Sequence, residues 1–531
     1  MRRTEMAKEE QSRVLNVFNR REFLRYTGLA SLAVGGTTLV GAYRGANADG
    51  IFEEFGVAQN ETIVTLDPQA TTALGNWVLN AFMFDSPFMR TPEGELIPWV
   101  ATKVETAGEI DWRFHLRKGI KFWNGNDLTA HSLAFTMNRI IDPEFVSPQR
   151  NMFAAIEKAV AVDDYTVDFI CKRPFPAFVG AAGNVPILDE KYYSEHSTDY
   201  LSANPMGSGP FIFGKWNKGI GVDMKANQNW WAPTPPIRNL TFYGIKEAET
   251  RTASLLAEQT KIISMVPLEH IDRINKAGFR ASGMAGQRMV FVGFNQELEP
   301  FNNKLVRQAC NWAVDNKTIN EIFMQGMGST MNQPLGSSIL GFNPDLPPYD
   351  QNLDKARQLM SEAGYANGIP GKFDCEFVPS YALNLLEIVE AVGFDLKKIG
   401  INLNVQIREN ADFRARRTQS TGVGDFGPLF AGSWGGSSFD PQDFLPYLLD
   451  RKGSYGRNAD PVGEKWIKKC MTLTDPEERV QQVRQLMAYF HDECPFIYLH
   501  VQPNTYAMSN DHDFKARADE RLVVHDIKKL S

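Results

Sequence analysis

The chain has 531 residues, enough for two or three domains, since a single core rarely grows beyond about 250–300 residues. Its 43% hydrophobic and 22% charged content, with a mean hydropathy of −0.31, is ordinary globular material, and no apolar run of roughly 18 residues follows the N-terminus, which excludes a multi-span membrane protein. The net charge is −7, and residues outside 1–48 carry 48 basic against 59 acidic side chains, a balance that argues against nucleic acid as main partner because phosphate binding needs a basic face.

The N-terminus reads as an address. Asn19-Arg20-Arg21-Glu22-Phe23-Leu24-Arg25 precedes a 15-residue apolar stretch, 28–42, and then Ala46-Asn47-Ala48. Twin arginines, a Gly/Ala/Thr-rich core and an A-x-A site make a twin-arginine export signal, cleaved after Ala48. At about 1.5 Å per residue the stretch is too short for a ~30 Å hydrocarbon core, so a transmembrane anchor is disfavoured. No Cys stands at the cleavage site, which leaves a lipoprotein anchor unindicated. The expectation is a soluble periplasmic protein starting at Asp49. The five cysteines, Cys171, Cys310, Cys375, Cys470 and Cys494, form no CxxC pair, a scatter that speaks against a zinc site or a dense disulfide framework.

In chain order, residues 61–68 (ETIVTLDP) read as a short strand ending in Asp-Pro, and 76–88 as a helix leading into Gly94-Glu95-Leu96-Ile97-Pro98. Residues 112–117 alternate, with Trp112, Phe114 and Leu116 on one side of a pleat, as a half-buried strand requires. A turn at Lys118-Gly119, a second short strand at 120–123 and a loop at 124–126 lead to Thr129, the N-cap of a helix carrying Leu133, Ala134 and Met137 at helical spacing. A strand pair follows at 159–162 and 166–171. Gly207-Ser208-Gly209-Pro210 reads as a turn in which a Cβ would obstruct the backbone, not as a phosphate loop, because no G-x-x-x-x-G-K-[ST] is present. Beyond 290–295, helices are expected at 305–309, 354–365, 385–396 and 475–492, with strands at 403–407 and 496–501.

The order of these residues resembles the dipeptide, nickel and opine class of extracytoplasmic solute-binding proteins of ABC transporters, family 5. The resemblance is carried by 112–138 (WRFHLRKGIKFWNGNDLTAHSLAFTMN), the G-x-L-x-P loop, the Gly-Ser-Gly-Pro turn, Asn227 to Trp231 followed by Pro233, Pro300-Phe301 with Arg307-Gln308-Ala309, and DKARQLMSEAGY at 354–365. Asn303 replaces an Asp usual in that pattern. The resemblance covers almost the whole mature chain. It implies an α/β, two-lobed periplasmic-binding-protein fold of type II, cluster C-like, with an extra subdomain in the first lobe and a hinge of two crossing segments. The expected boundaries are 1–48 for the signal, 49–289 with 504–531 for lobe I, and 290–503 for lobe II.

The ligand is expected at residues 432–444 (GSWGGSSFDPQDF), where small residues around Trp434 let backbone approach a solute and the indole supplies an apolar face and one N–H. Ser433, Gly435, Gly436 and Ser437 complete this candidate set, and Asp440-Pro441 reads as a turn support. In peptide-binding relatives the loop reads W-x-G-D-x-x-D-P and its first Asp pairs with the peptide ammonium; here the equivalent place is Ser437, and a desolvated ammonium beside a hydroxyl is poorly compensated. The loop is closer to the nickel-chelate and opine branches. By the same resemblance Arg150 and Phe153 match a first-lobe R-x-x-W pair, with Arg150 as carboxylate clamp. Asn76 and Trp77 are placed near the cleft lip, where cap and core roles are an equal reading, and Asn184, Arg288 and Arg457 are further candidates.

No G-x-S-x-G, H-E-x-x-H or Walker sequence is present, so no catalytic residues, metal ligands or cofactor are assigned. The expected function is capture of a small carboxylated organic solute, an opine or amino-acid/sugar conjugate, by hinge closure, for an inner-membrane permease and its ATPase. Oligopeptide or metal-chelate binding is the alternative, with an enzyme or a ligand carrier for a chemoreceptor alone ranked below both, and the protein is expected to be a monomer with no nucleic-acid partner.

Overall fold

The computed structural model describes residues 50–419, 427–436, 438–451, 453, 455, 460–525 and 527–530. The export signal expected at 1–48 lies outside them. The chain forms two compact units: one runs to Gly283 and resumes at Asn504, and the other is Met284–Pro503. The passages between them fall within two long strands, Arg280–Phe294 and Phe496–Met508.

The discontinuous unit holds two layers of sheet. In the first, Phe52–Gln59 runs parallel to Ile237–Gly244 and to Ile262–Ser264, and the antiparallel strands Gly221–Ala226 and Phe211–Asn217 extend it. The far end of Phe496–Met508 pairs with Ile262–Ser264. Val57 and Ala58 are both at 0% exposure, so this strand is covered on both faces, as parallel pairing demands. Helix Leu74–Met83 presents Val78, Leu79 and Phe82 to that core. The second sheet has the order Ala101–Ala107, Asp111–Leu116, Thr166–Cys171, Ile156–Asp163. Helix Ala130–Ile141 packs its Leu133, Met137 and Ile140 into the core of this sheet, around Phe114 and Phe169. The expected alternation at 112–117 is real, with Phe114 and Leu116 buried, and Ser132 Oγ accepts from the Thr129 N–H at 3.3 Å at the helix start.

Three local expectations are corrected. Residues 61–68 form no strand; the first strand of the unit is Phe52–Gln59. Side chains hold the backbone of 61–68 instead: Asn76 takes the Thr65 carbonyl, and the Asp67 carboxylate accepts from Gln69 N and carries a two-armed bond from Arg139. The helix expected over 76–88 ends at Met83, because Pro87 disfavours helical backbone at Ser86 and the Met83 carbonyl instead receives Gly209 N at 3.0 Å. Phe88–Arg90 then pairs with Leu96–Pro98 as a two-stranded ribbon. The strand expected at 120–123 is reduced to one bridge, Lys121 with Asp127, since the loop folds back at once through Phe122 N to Asn126 O.

The continuous unit is built on Leu403–Ile407, Phe373–Phe377, Leu429–Trp434 and the Met289-to-Phe294 end of its long strand. Helices Lys304–Ala313, Leu353–Glu362, Leu385–Lys397 and Pro476–Glu493 flank it, close to the expected positions. Asn303, in the place of the usual Asp, accepts from Leu305 N at 2.9 Å and so serves as an N-cap. The expected strand at 496–501 is longer, Phe496–Met508, and wholly buried. All five cysteines are buried free thiols. Among the described residues no helix is long and apolar enough to cross a membrane, and no group of three or more His, Cys, Asp or Glu is placed to hold a metal ion.

Candidate functional site

The glycine-rich turn leaves the end of strand Leu429–Trp434, whose register sets Trp434 opposite Met289 and Ser433 opposite Val290. One step further along the partner strand, the Arg288 guanidinium lies against Gly435: a Cβ there would sit 3.5 Å from Nη2 and 3.6 Å from Cζ. Arg288 Nη1 also reaches Ser433 Oγ at 3.5 Å, and that hydroxyl donates to the Tyr381 carbonyl. The guanidinium thus lies along the backbone at Gly435 in ordinary van der Waals range, held at one end by Ser433.

Trp434 is fixed rather than swinging. Its Nε1–H donates to the Asp443 carbonyl at 2.6 Å, its ring stacks on Tyr447 at 5.1 Å, and Tyr455 meets it edge-on at 5.9 Å. Gly436 sits against the ring of Phe444, where a Cβ would approach to 2.5 Å. The carboxylates nearby are engaged: Asp440 takes both arms of Arg479, and Asp443 accepts from Ser438 N at 2.8 Å. Asp440 is thus the expected turn support. The turn offers a cation, an indole, and hydroxyl and amide groups. Ser437 and Arg457 lie outside the described residues.

The other candidates belong to the discontinuous unit and fall in three places. Asn76 is at 0% exposure with its amide on the Thr65 carbonyl, so it brackets the chain before the helix. Arg150 and Phe153 lie on the short helix Arg150–Phe153, where Arg150 is exposed and Phe153 is buried in the core of the four-stranded sheet. Trp77 and Asn184 line a recess together with Asp85, Trp99 and Trp230.

Residues 95–456 match the family described as bacterial extracellular solute-binding proteins, family 5. The chain belongs to this family. Family 5 proteins are periplasmic binding components of ABC importers, working with a membrane permease and an ATPase, and they are not enzymes. This solute-binding protein is 28% identical over 421 residues to the heme-binding protein A of Haemophilus influenzae, covering 73% of this chain and 75% of that one. It is 26% identical over 490 residues to the glutathione-binding protein GsiB of Pectobacterium atrosepticum, covering 90% of each. Its two-lobed fold is that of the binding protein MoaA of A. tumefaciens R10, solved with mannopinic acid, at a TM-score of 0.74 and 19% identity over 90% of this chain and 100% of that one.

Sequence reasoning missed the aromatic support of Trp434, because Tyr447 and Tyr455 lie 13 and 21 residues beyond it, outside any local motif. It also passed over Asp85, which stands between Phe84 and Ser86-Pro87 without a periodic signal. The Asp85 carboxylate accepts indole N–H bonds from Trp99 at 2.9 Å, Trp231 at 3.3 Å and Trp230 at 3.4 Å. Burial nonetheless wins, and its pKa is pushed up to about 6, with the indole and Ser208 hydrogen bonds pulling the other way.

Proposed function

We propose that this solute-binding protein captures a small carboxylated organic solute, an opine or an amino-acid/sugar conjugate, by hinge closure, with Trp434 and its glycine-rich turn as the principal contact. The observation that carries this reading is the guanidinium of Arg288 laid along Gly435 beside a fixed indole, where both nearby carboxylates are committed to internal bonds. A guanidinium matches a carboxylate with two parallel hydrogen bonds, whereas among the described residues the two carboxylates of the turn, Asp440 and Asp443, are already engaged and are poorly placed to pair with a primary ammonium. Ser433, Gly435, Gly436 and Ser437 stay in the proposed contact set through the turn they form, and Arg288 takes the clamp role first given to Arg150. Arg150, Phe153, Asn76, Trp77, Asn184 and Arg457 remain in the proposed contact set as secondary positions. Isothermal calorimetry with opines, with the matched primary amino acids and with di- and tripeptides tests the reading; tight response to peptides with none to opines contradicts it.

A second reading follows from the relatives. The glutathione-binding protein of Pectobacterium atrosepticum aligns with nine-tenths of this chain, and glutathione is a compact tripeptide with two carboxylates and a free ammonium, so a tight response to it favours this reading over the first. It belongs in the same titration series. The protein is further proposed to be a monomer, exported by the twin-arginine route and cleaved after Ala48, which the N-terminal sequence of protein recovered from the periplasm tests directly.

A further inference from the structure

Within the discontinuous unit, the end of helix Leu74–Met83, the strand Phe88–Arg90 and the C-terminal segment 517–525 enclose a recess. Its walls include the indoles of Trp77, Trp99 and Trp230. Most of the charged groups lining it already have hydrogen-bond partners. Arg517 pairs with Asp519 at 2.8 Å, Arg90 donates to the carbonyls of Gly94 and Gly180, and Asp85 is held by three indole N–H groups.

Arg521 differs. Among the described residues its guanidinium has no hydrogen-bond acceptor and no carboxylate within ion-pair distance, although its side chain is only partly exposed. Burial pulls its pKa below the ordinary guanidinium value, opposed by the charge of Asp519. A recessed guanidinium left without an acceptor is costly in a folded protein, and that cost falls when a ligand supplies one. The planar fork of the Arg521 guanidinium matches a carboxylate with two parallel hydrogen bonds.

We propose that this recess is a binding site for a small carboxylate, with Arg521 as the clamp and the indoles of Trp77, Trp99 and Trp230 against the apolar body of the ligand. The site lies within one unit and uses no residue of the Trp434 turn; it shares Trp77 and Asn184 with the secondary solute positions, and displacement of the probe tells one ligand from two.

The test uses benzoate as probe and uncharged benzamide as its control, read by the indole N–H signals of the protein in heteronuclear NMR. Of the ten tryptophans, Trp99 and Trp230 should shift saturably with benzoate and stay in place with benzamide. Arg521→Gln should weaken the benzoate response by about tenfold or more, and Arg521→Lys should weaken it less. If Arg521→Gln fails to fold, the benzamide comparison and the Lys variant still decide. A solute that displaces benzoate identifies the carboxylate as the transported molecule's own, and one that binds without displacing it identifies a separate small acid. No shift with benzoate up to its solubility, an equal shift with benzamide, or an undiminished response in a folded Arg521→Gln would overturn the proposal.

Discussion

Arg479 grips Asp440 with two hydrogen bonds of 2.6 Å each, and both side chains are buried. The pair ties the Asp-Pro end of the glycine-rich turn to the long helix Pro476–Glu493, while Asp440 Oδ1 also accepts from Gln442 N. A buried pair broken from one side leaves an uncompensated charge, so Arg479→Ala should cost about 3–5 kcal/mol in denaturant unfolding. A loss below about 1 kcal/mol would mean that the pair is not holding the turn.

Gly207 and Gly209 carry a second prediction. A Cβ at Gly207 would stand 1.9 Å from the Met83 carbonyl oxygen, and one at Gly209 2.6 Å from Phe84 N, both against backbone. Gly207→Ala should therefore destabilise by at least about 2 kcal/mol. Gly393, inside helix Leu385–Lys397 with its nearest foreign atom at 3.5 Å, is the contrast: Gly393→Ala should be neutral or stabilising by about 0.5–1 kcal/mol. Thermal unfolding of both variants decides whether contact or glycine itself sets the cost.

Asp85 predicts a pH effect with a definite sign. Its carboxyl titrates near 6 when folded against an ordinary value of 3.8, so between those pH values the folded chain holds a proton that the unfolded chain has released. The parent protein then loses stability from this group as pH rises through that window. Asp85→Asn cannot titrate, so its stability relative to the parent should rise from pH 4 to pH 7 by about 2–3 kcal/mol. A difference that stays flat or falls with pH would contradict the account.

These residues also mark how far the sequence carries. The Asp-Pro turn, the Gly-Ser-Gly-Pro turn, the capped helix at Thr129 and the helices of the continuous unit were legible because each rests on local chemistry within a few residues: a cap, a turn, an amphipathic period. The strand expected at 61–68 was not, because its backbone groups are taken by Asn76 on the following helix, while Asp67 is held by Arg139, 72 residues away. The site was legible only in part for the same reason. Trp434 announces itself, but the cation laid along Gly435 comes from a strand 147 residues earlier, and the indoles around Asp85 converge from two separate segments, Trp99 and Trp230-Trp231. Arg288 was named as a candidate without any sequence signal for its neighbour.

The turn itself can be dissected by paired variants. Trp434→Ala removes the indole face and its bond to the Asp443 carbonyl, and should weaken solute binding at least about tenfold. Arg288→Lys keeps the charge but loses the planar fork, and should retain less affinity for a carboxylated solute than for its amide analogue relative to the parent. Equal losses for acid and amide would remove Arg288 from the clamp role.

The most direct measurement is calorimetric titration of the protein with an opine and with the matching primary amino acid and dipeptide, repeated for Arg288→Gln. The account predicts heat and one-to-one saturation with the opine, weaker response to ligands carrying a free ammonium, and a marked loss in the variant. Tight binding of the dipeptide with silence from the opine, unchanged by Arg288→Gln, would contradict it.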